Sequence, residues 1–412
     1  SRFGSRHVAH CSENSATPPF SRMAMVDPMR RRLTVSQCGA AKVGDPGSFP
    51  GEDMPAKIES AGLTAIFERT EIEHRKVVLI ASVTDNDLKR RRSFAEKDTD
   101  VISTFTSAEE ATQWVHSRGV GWSCKKGLKP ESPNQDSFSV LIVENEFALY
   151  CVYDGHGPAG HDVSNFVRET VVKLFLGNAE RATNPKRAFE AAFTDGQKLL
   201  EDVGSSAIDA SMSGTTCTMV YHDLTKDRLT IAHVGDSRAV LGRKHKEPAP
   251  DGAGLILTTS VAQDLTIDHK PNDPDEKKRI ESADPPGRVV FDGYYNHRVF
   301  ARTGMYPGLN MSRAIGDVLG HKEAGLTAWP DVKEIDLPSE RPAADCGLAL
   351  LLCTDGVWEF ISSEEAMKLV FDFPPANATE AMTKLVELGW RRWMEDSDHE
   401  ISDDITGILV AL

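Results

Sequence analysis

The chain has little of what would place it outside the ordinary globular class. Its 412 residues include only seven cysteines, Cys11, Cys38, Cys124, Cys151, Cys217, Cys346 and Cys353. Their number is odd, they are scattered, and no CxxC pair occurs. A zinc ribbon is thereby excluded and a disulfide framework is not expected. Cys151, Cys217 and Cys353 sit in apolar runs and are expected in the core of a protein kept reduced. That reading places the protein in the cytoplasm or nucleus, without judging any targeting segment upstream of Ser1. No apolar stretch approaches the roughly 20 residues of a membrane helix. Positive charge is also short: 47 Lys and Arg against 62 Asp and Glu leave a net −15 at pH 7. A general nucleic-acid binder needs a basic face, so that class is excluded.

What is present fits a folded protein with a substantial core, 40% hydrophobic and 26% charged. The length suggests two domains, or one with extensions. Residues 1–118 are nearly balanced, with 17 basic and 16 acidic side chains, whereas 119–412 carry 30 against 46. Residues 1–54 are rich in Ser, Pro, Gly and Arg and are expected to be disordered. Residues 55–118 are expected to form a small, partly ordered extension. In it, 76–83 reads as a strand, and Thr106-Ser107-Ala108-Glu109-Glu110 opens a short helix ended by Gly119. Two basic clusters, Arg30-Arg31-Arg32-Leu33-Thr34 and Arg90-Arg91-Arg92-Ser93-Phe94, each place a hydroxyl where a basophilic kinase would act. Most such runs are merely solvated linkers.

From residue 120 the rhythm changes. Apolar β-rich segments recur at 137–143, 147–153, 215–222, 228–234, 237–242, 255–260 and 347–353, with a last strand from Ile405 to Val410. Helical periodicity covers 160–176, 185–203, a short stretch opened by Asp273-Pro274, 363–371 and 378–395. Asn184-Pro185 caps the second of these. Strands in groups and helices in pairs predict an α+β fold.

The chemistry lies where certain aspartates fall. Asp154 and Asp355 end apolar strands, Asp236 follows another, and Asp136 and Asp403 directly precede strands. One such acid is usually a turn residue. Five are costly in a buried setting unless something compensates them, and hard divalent cations with oxygen ligands are the obvious compensation. Gly155 leaves its carbonyl accessible to a metal, and His156 is the candidate proton donor. Zinc fits less well, since no suitable His or Cys constellation appears. A dinuclear Mg²⁺ or Mn²⁺ hydrolase, acting on phosphate esters, follows.

Seven motifs in order resemble those of metal-dependent Ser/Thr protein phosphatases of the 2C type. They are Val152-Tyr153-Asp154-Gly155-His156-Gly157, Ser213-Gly214-Thr215-Thr216, Gly235-Asp236-Ser237-Arg238-Ala239, Asp268-His269-Lys270-Pro271, Ser312-Arg313-Ala314-Ile315-Gly316-Asp317, Thr354-Asp355-Gly356-Val357-Trp358 and Asp403-Asp404-Ile405-Thr406. The resemblance covers about 119–412 as the catalytic domain. It implies a β-sandwich of two antiparallel sheets flanked by helix pairs, a mobile flap over about 271–311, and a monomer acting on phosphoserine and phosphothreonine proteins.

It also implies roles. Asp154 would bridge two metals, the Gly155 carbonyl would ligate one, and Asp355 and Asp403 would complete the other's shell. Asp136 would act near the metals directly or through water, and Asp236 would hold a third, weaker ion. His156 would protonate the leaving oxygen, after direct attack by a metal-bridging water. The chain departs from the pattern twice. Gln135 stands where some members have Glu, and Glu131 stands where many have a phosphate-binding Arg. Lys126 or Lys129 is the substitute. The alternative reading is a catalytically weak module that holds a phosphorylated partner. Phosphorylation at Thr34 or Ser93, releasing a docked N-terminal segment, is a further expectation.

Overall fold

The computed structural model describes residues 61–83, 93–129, 132–203, 208–248, 256–340 and 347–412. Residues 1–54, both arginine triplets and Glu131 lie outside the described residues.

Helix α1 (Ala61–Ile72) precedes β1 (Val77–Ser82) and β2 (Thr99–Ser103). Helix α2 (Ala108–Ser117) starts where expected, with the Ser107 hydroxyl accepting the Glu110 N–H at 3.1 Å, and ends two residues before Gly119. It leads into β3 (Val120–Lys125). The hairpin β4 (Asp136–Val143) and β5 (Phe147–His156) follows, then the helix pair α3 (Gly160–Gly177) and α4 (Pro185–Val203). Next come β6 (Gly214–Thr215), β7 (Cys217–Asp223), β8 (Arg228–Val234), β9 (Arg238–Pro248) and β10 (Ile256–Asp264).

The flap region holds α5 (Pro274–Glu281), β11 (Gly287–Phe291), β12 (His297–Ala301) and β13 (Pro307–Leu309). Then come β14 (Ile315–Gly316), α6 (Val318–Glu323), β15 (Asp331–Asp336) and α7 (Leu337–Glu340). The chain finishes with β16 (Gly347–Cys353), α8 (Asp355–Trp358), α9 (Ser363–Val370), α10 (Ala378–Asp396) and β17 (Ile405–Ala411).

The larger sheet runs β15-β8-β7-β5-β4-β1-β2 and the smaller β10-β9-β16-β17-β3, with antiparallel neighbours throughout. The 55–118 segment, expected as an extension, supplies two strands of the larger sheet: β1 pairs with β4 from Val77↔Val143 to Ala81↔Ser139. Its strand could be seen in the sequence, but its partner lies some 60 residues away.

Strand side chains alternate between two cores, as the period of two requires. In β5, Ala148, Tyr150 and Val152 face the smaller sheet, where Leu350, Leu352, Ile408 and Val410 meet them. Leu149, Cys151 and Tyr153 face the helices, packing with Val167, Val171, Phe175, Phe189 and Phe193. On the far side, Leu351 and Cys353 pack against Met367, Met382, Leu385 and Trp393 of the C-terminal helices. The result is four layers, α-β-β-α. Because both sheets are covered, β4 and β16 are buried along nearly their whole length; β16 accordingly reads as a continuous apolar run, while β4 is apolar from Val140 to Val143 and carries Asp136, Ser137 and Ser139 toward the site. Among the described residues, Cys124, Cys151, Cys217 and Cys353 are buried free thiols.

The flap has its own small core, Ile280, Val299, Ala301, Leu309, Met311, Ala314, Ala324 and Leu326. It is tied to the domain through Glu276. This buried carboxylate accepts from Arg313 Nη2 at 2.6 Å, Arg279 Nη2 at 2.8 Å and Ser312 Oγ. Burial alone would raise its pKa, but the three donors prevail and pull it to about 2. A depressed acid stabilises the fold fully above its ordinary value and loses that contribution as pH falls through the folded value. Urea unfolding of Glu276→Gln against wild type should therefore differ by about 2–3 kcal/mol at pH 7. The difference should shrink steadily between pH 4.5 and pH 2. A difference independent of pH would refute this account of the anchor.

Candidate metal centre and active site

The hairpin register builds the floor of the site. Eight consecutive pairs, from Val143↔Phe147 to Asp136↔Asp154, carry the two aspartates to facing positions at one end of the sheet. In the smaller sheet, Cys353↔Gly407 pairing brings Asp355, after β16, beside Asp403, before β17. Thr354 joins the two sheets by donating to Asp136 Oδ2 at 2.8 Å. Asp154, Asp355, Asp403, Gly155, His156 and Lys129 line one cleft of about 110 Å³. A larger hollow of about 750 Å³, between β15 and the segment after β10, contains none of the five strand-end acids. Size therefore does not mark the chemistry here.

The acids are held at electrostatic cost. Asp154 is pushed well above the usual carboxylate range, first by burial and then by the charges of Asp355 and Asp136. Asp136 is pushed up to about 7, again by burial first and then by Asp404. Asp136 Oδ1, Asp236 Oδ1 and Asp355 Oδ1 are buried without hydrogen-bond partners. Among the described residues no three Asp, Glu, His or Cys side chains close into a ready cage. Instead two ammonium groups stand beside the acids: Lys129 pairs with Asp403, and Lys270 with Asp236. In both pairs a lysine ammonium supplies positive charge beside the acid. Partnerless buried oxygens, all-oxygen donors and few ligands per site fit Mg²⁺ or Mn²⁺, which keep much of their water.

Two residues brace this floor. Asp404 accepts the backbone N–H groups of Gly127 at 2.7 Å and Gln135 at 2.9 Å, so it ties loops rather than facing the cleft. Lys97, buried behind Asp136, donates to Asn134 O and Ser137 Oγ, both at 3.3 Å, and to the Asp136 carbonyl. Its three N–H donors meet three acceptors. Sequence reasoning missed it, because a lone lysine in a polar stretch carries no signal of burial.

His156 has a partner that sequence reasoning also did not assign. Its Nε2 lies 2.6 Å from Oδ2 of Asp317, which is fully buried. Burial works against charging His156, but the Asp317 carboxylate outweighs it and raises the pKa. Asp317 takes the left-handed conformation, φ 43°, where its N–H donates to Ser213 O at 2.8 Å. Gly214 leaves room for the pair. A Cβ there would stand 2.1 Å from Asp317 Oδ2 and 2.8 Å from His156 Nε2. The Ser213-Gly214 motif is thus a packing device. The Gly316-Asp317 motif gave the only advance signal of the partner.

The two candidate phosphate lysines separate. Lys126 is buried and donates to Lys129 O at 2.9 Å and Gly127 O at 3.3 Å, inside its own loop. Lys129 reaches the cleft. Gly155 is needed for a closer reason than metal access: a Cβ would meet Gly160 O at 2.3 Å and Gln135 O at 2.6 Å. Gln135 donates its side-chain N–H to Gly157 O at 2.7 Å. Trp358 and Trp393 are packed, with indole N–H groups on Cys353 O at 2.8 Å and Gly356 O at 2.9 Å, and Trp390 lies 4.7 Å from the Phe94 ring.

Comparison with known proteins agrees with this geometry. The protein phosphatase 2C family model matches residues 131–398. The Arabidopsis thaliana protein named probable protein phosphatase 2C 35 is 27% identical over 312 residues, 70% of this chain and 82% of the relative. Another from that plant, named probable protein phosphatase 2C 61, is 34% identical over 273 residues, 65% of this chain and 76% of the relative. Among solved structures, a serine-threonine phosphatase 2C from Toxoplasma gondii shares the fold. Its TM-score is 0.57 at 20% identity, over 71% of this chain and 94% of that one. Fold, motif order and sequence agree: this chain belongs to the protein phosphatase 2C family, the metal-dependent serine/threonine protein phosphatases.

Proposed function

We propose that the chain hydrolyses phosphoserine and phosphothreonine in proteins by direct attack of water at a dinuclear Mg²⁺ or Mn²⁺ centre. The observation that carries this is the cluster of buried strand-end aspartates with partnerless oxygens. Asp154, the Gly155 carbonyl, Asp355 and Asp403 would hold the two ions. Asp136 would act at the edge of the centre, and Asp236 would take a third, weaker ion in place of Lys270. When bound, the ions supply a water that ionises near neutral pH and offset charge on the phosphoryl oxygens.

The chain's own residues do the rest. A P–O bond to water forms, the bond from phosphorus to the seryl or threonyl oxygen breaks, and that oxygen takes a proton. His156 is the donor. Asp317 holds Nε2–H, so the transferable proton sits on Nδ1, which has no other partner. Lys129 presents a point charge to the phosphate beside Asp403.

The test is turnover of a phosphothreonine peptide. Mn²⁺ should support it and EDTA should abolish it. A protein that binds the phosphopeptide but stays inactive across a wide Mn²⁺ range would instead be a binding module.

A further inference from the structure

Lys97 precedes residue 131, where the match to the family model begins, so it reaches the site from outside the matched domain. It is 5% exposed. Its ammonium donates to three acceptors that bracket one acid: Asn134 O at 3.3 Å, the Asp136 carbonyl, and Ser137 Oγ at 3.3 Å. Asn134 Oδ1 in turn accepts the Asp136 N–H at 3.0 Å. Asp136 is the first residue of β4, so the sheet ladder continues on only one side of it. Lys97 and Asn134 fix the backbone where the ladder stops. The carboxylate they carry keeps Oδ2 on Thr354 and leaves Oδ1 without a partner.

The segment that delivers Lys97 is held against strain. Phe94 takes the left-handed conformation, φ 61°, which a bulky side chain seldom adopts. Such a conformation persists only where its surroundings over-determine it. Here the Phe94 N–H donates to Lys126 O at 2.7 Å, and the Lys126 N–H to Ala95 O at 2.9 Å. The Phe94 ring lies 4.7 Å from the Trp390 ring and 5.1 Å from the Lys125 ammonium. Glu96 accepts the Cys124 N–H at 2.7 Å and pairs with Lys125 at 3.0 Å, and the Lys97 N–H donates to Cys124 O at 2.8 Å. Residues 94–97 thus clip onto the end of β3, with the Lys97 side chain turned inward. Filling space does not call for a lysine, because a buried ammonium is costly and an apolar chain of similar length costs less. Three donors aimed at the backbone around one acid are what an apolar chain cannot supply.

We infer that Lys97 is a positioning residue of the metal centre: clipped in place by Phe94, it sets the Asp136 carboxylate for the divalent ions. The segment before the matched domain is then part of the site. This rests on the reading of the strand-end acids as a Mg²⁺ or Mn²⁺ centre.

The test titrates Mn²⁺ calorimetrically into the full chain as wild type, Lys97→Met, Lys97→Gln, Phe94→Ala and Ile80→Val. Urea unfolding in EDTA records the stability of each. Lys97→Met should raise the Mn²⁺ dissociation constant about 10–100-fold, the usual effect of losing a group that orients a metal ligand. Lys97→Gln keeps two N–H donors and should fall between wild type and Lys97→Met. Phe94→Ala leaves the lysine but loosens its clip, and should raise the constant by less than Lys97→Met. Ile80→Val trims the buried core strand β1 without touching the clip, and should lower stability while leaving the constant unchanged. An unchanged or tighter constant in Lys97→Met, or an equal rise in Ile80→Val, would make Lys97 a brace of the fold only. Should Lys97→Met give no cooperative unfolding in EDTA, Phe94→Ala decides, and a wild-type constant there overturns the inference. Mn²⁺ binding by wild type with no change in the variants would overturn this inference alone. No binding to wild type would overturn the metal reading and the inference with it.

Discussion

Asp154→Asn is expected to lower metal-dependent turnover by at least about 10²–10³-fold, the loss expected when one preorganised charge at a reacting centre is removed. The same change is expected to raise the melting temperature of the metal-free protein. Both effects have one cause. Asp154 is held among Asp355, Asp136 and Asp236, and burial and their charges oppose its ionisation. That arrangement is unfavourable without a cation and favourable with one. An amide keeps the shape and removes the repulsion. For a domain of this size, each kcal/mol relieved corresponds to about 2–4 °C. Differential scanning in EDTA and in Mn²⁺ reads both sides. Wild type should gain stability on adding Mn²⁺ and the variant should gain little. A variant less stable than wild type in EDTA would show that Asp154 serves the fold rather than a cation.

The second large effect belongs to His156. His156→Gln should reduce kcat on a phosphothreonine peptide by about 10²–10⁴-fold, the usual worth of a positioned general acid. With p-nitrophenyl phosphate the loss should be much smaller, because nitrophenolate leaves without being protonated. That contrast separates a proton donor from a residue that only packs. Asp317→Asn should follow the same pattern at a smaller size, about 10–100-fold, as for an outer partner that orients a functional histidine. The amide retains a polar contact to Nε2 but not the charge that favours the protonated ring. Equal losses on both substrates would contradict the acid role. An unaffected peptide rate would also contradict it.

These predictions use residues that were unequally visible in the sequence. Most strands of the two sheets, β1, β4, β5, β7 to β10, β16 and β17, were legible as apolar runs bounded by turn chemistry, whereas β2 and β3 were not. The acids were legible because they end those runs. Helices α3, α4, α9 and α10 followed from their periodicity, and α4 also from its Asn184-Pro185 start. Strand β15 was not legible. It is an edge strand with most side chains exposed, so alternation has nothing to report. Strands β11 to β13 are short and packed on a local core, which leaves the same weak trace. The place of β1 was hidden because strand pairing is non-local.

The same reason accounts for the site residues that sequence reasoning did not supply. Asp317 meets His156 across 161 positions and Lys97 meets Asp136 across 39. Lys126 and Lys129, three residues apart, diverge because the loop turns one ammonium inward onto its own carbonyls. Composition and spacing identify which residues can do chemistry. Only the register of the sheets decides which of them meet.

The central claim is that the strand-end acids exist to hold divalent cations. Calorimetric titration of Mn²⁺ into the metal-free full chain, beside Asp154→Asn, tests it most directly. The account predicts saturable binding of two ions to wild type and loss of that heat in the variant. No binding to wild type, or the same isotherm for both proteins, would contradict it.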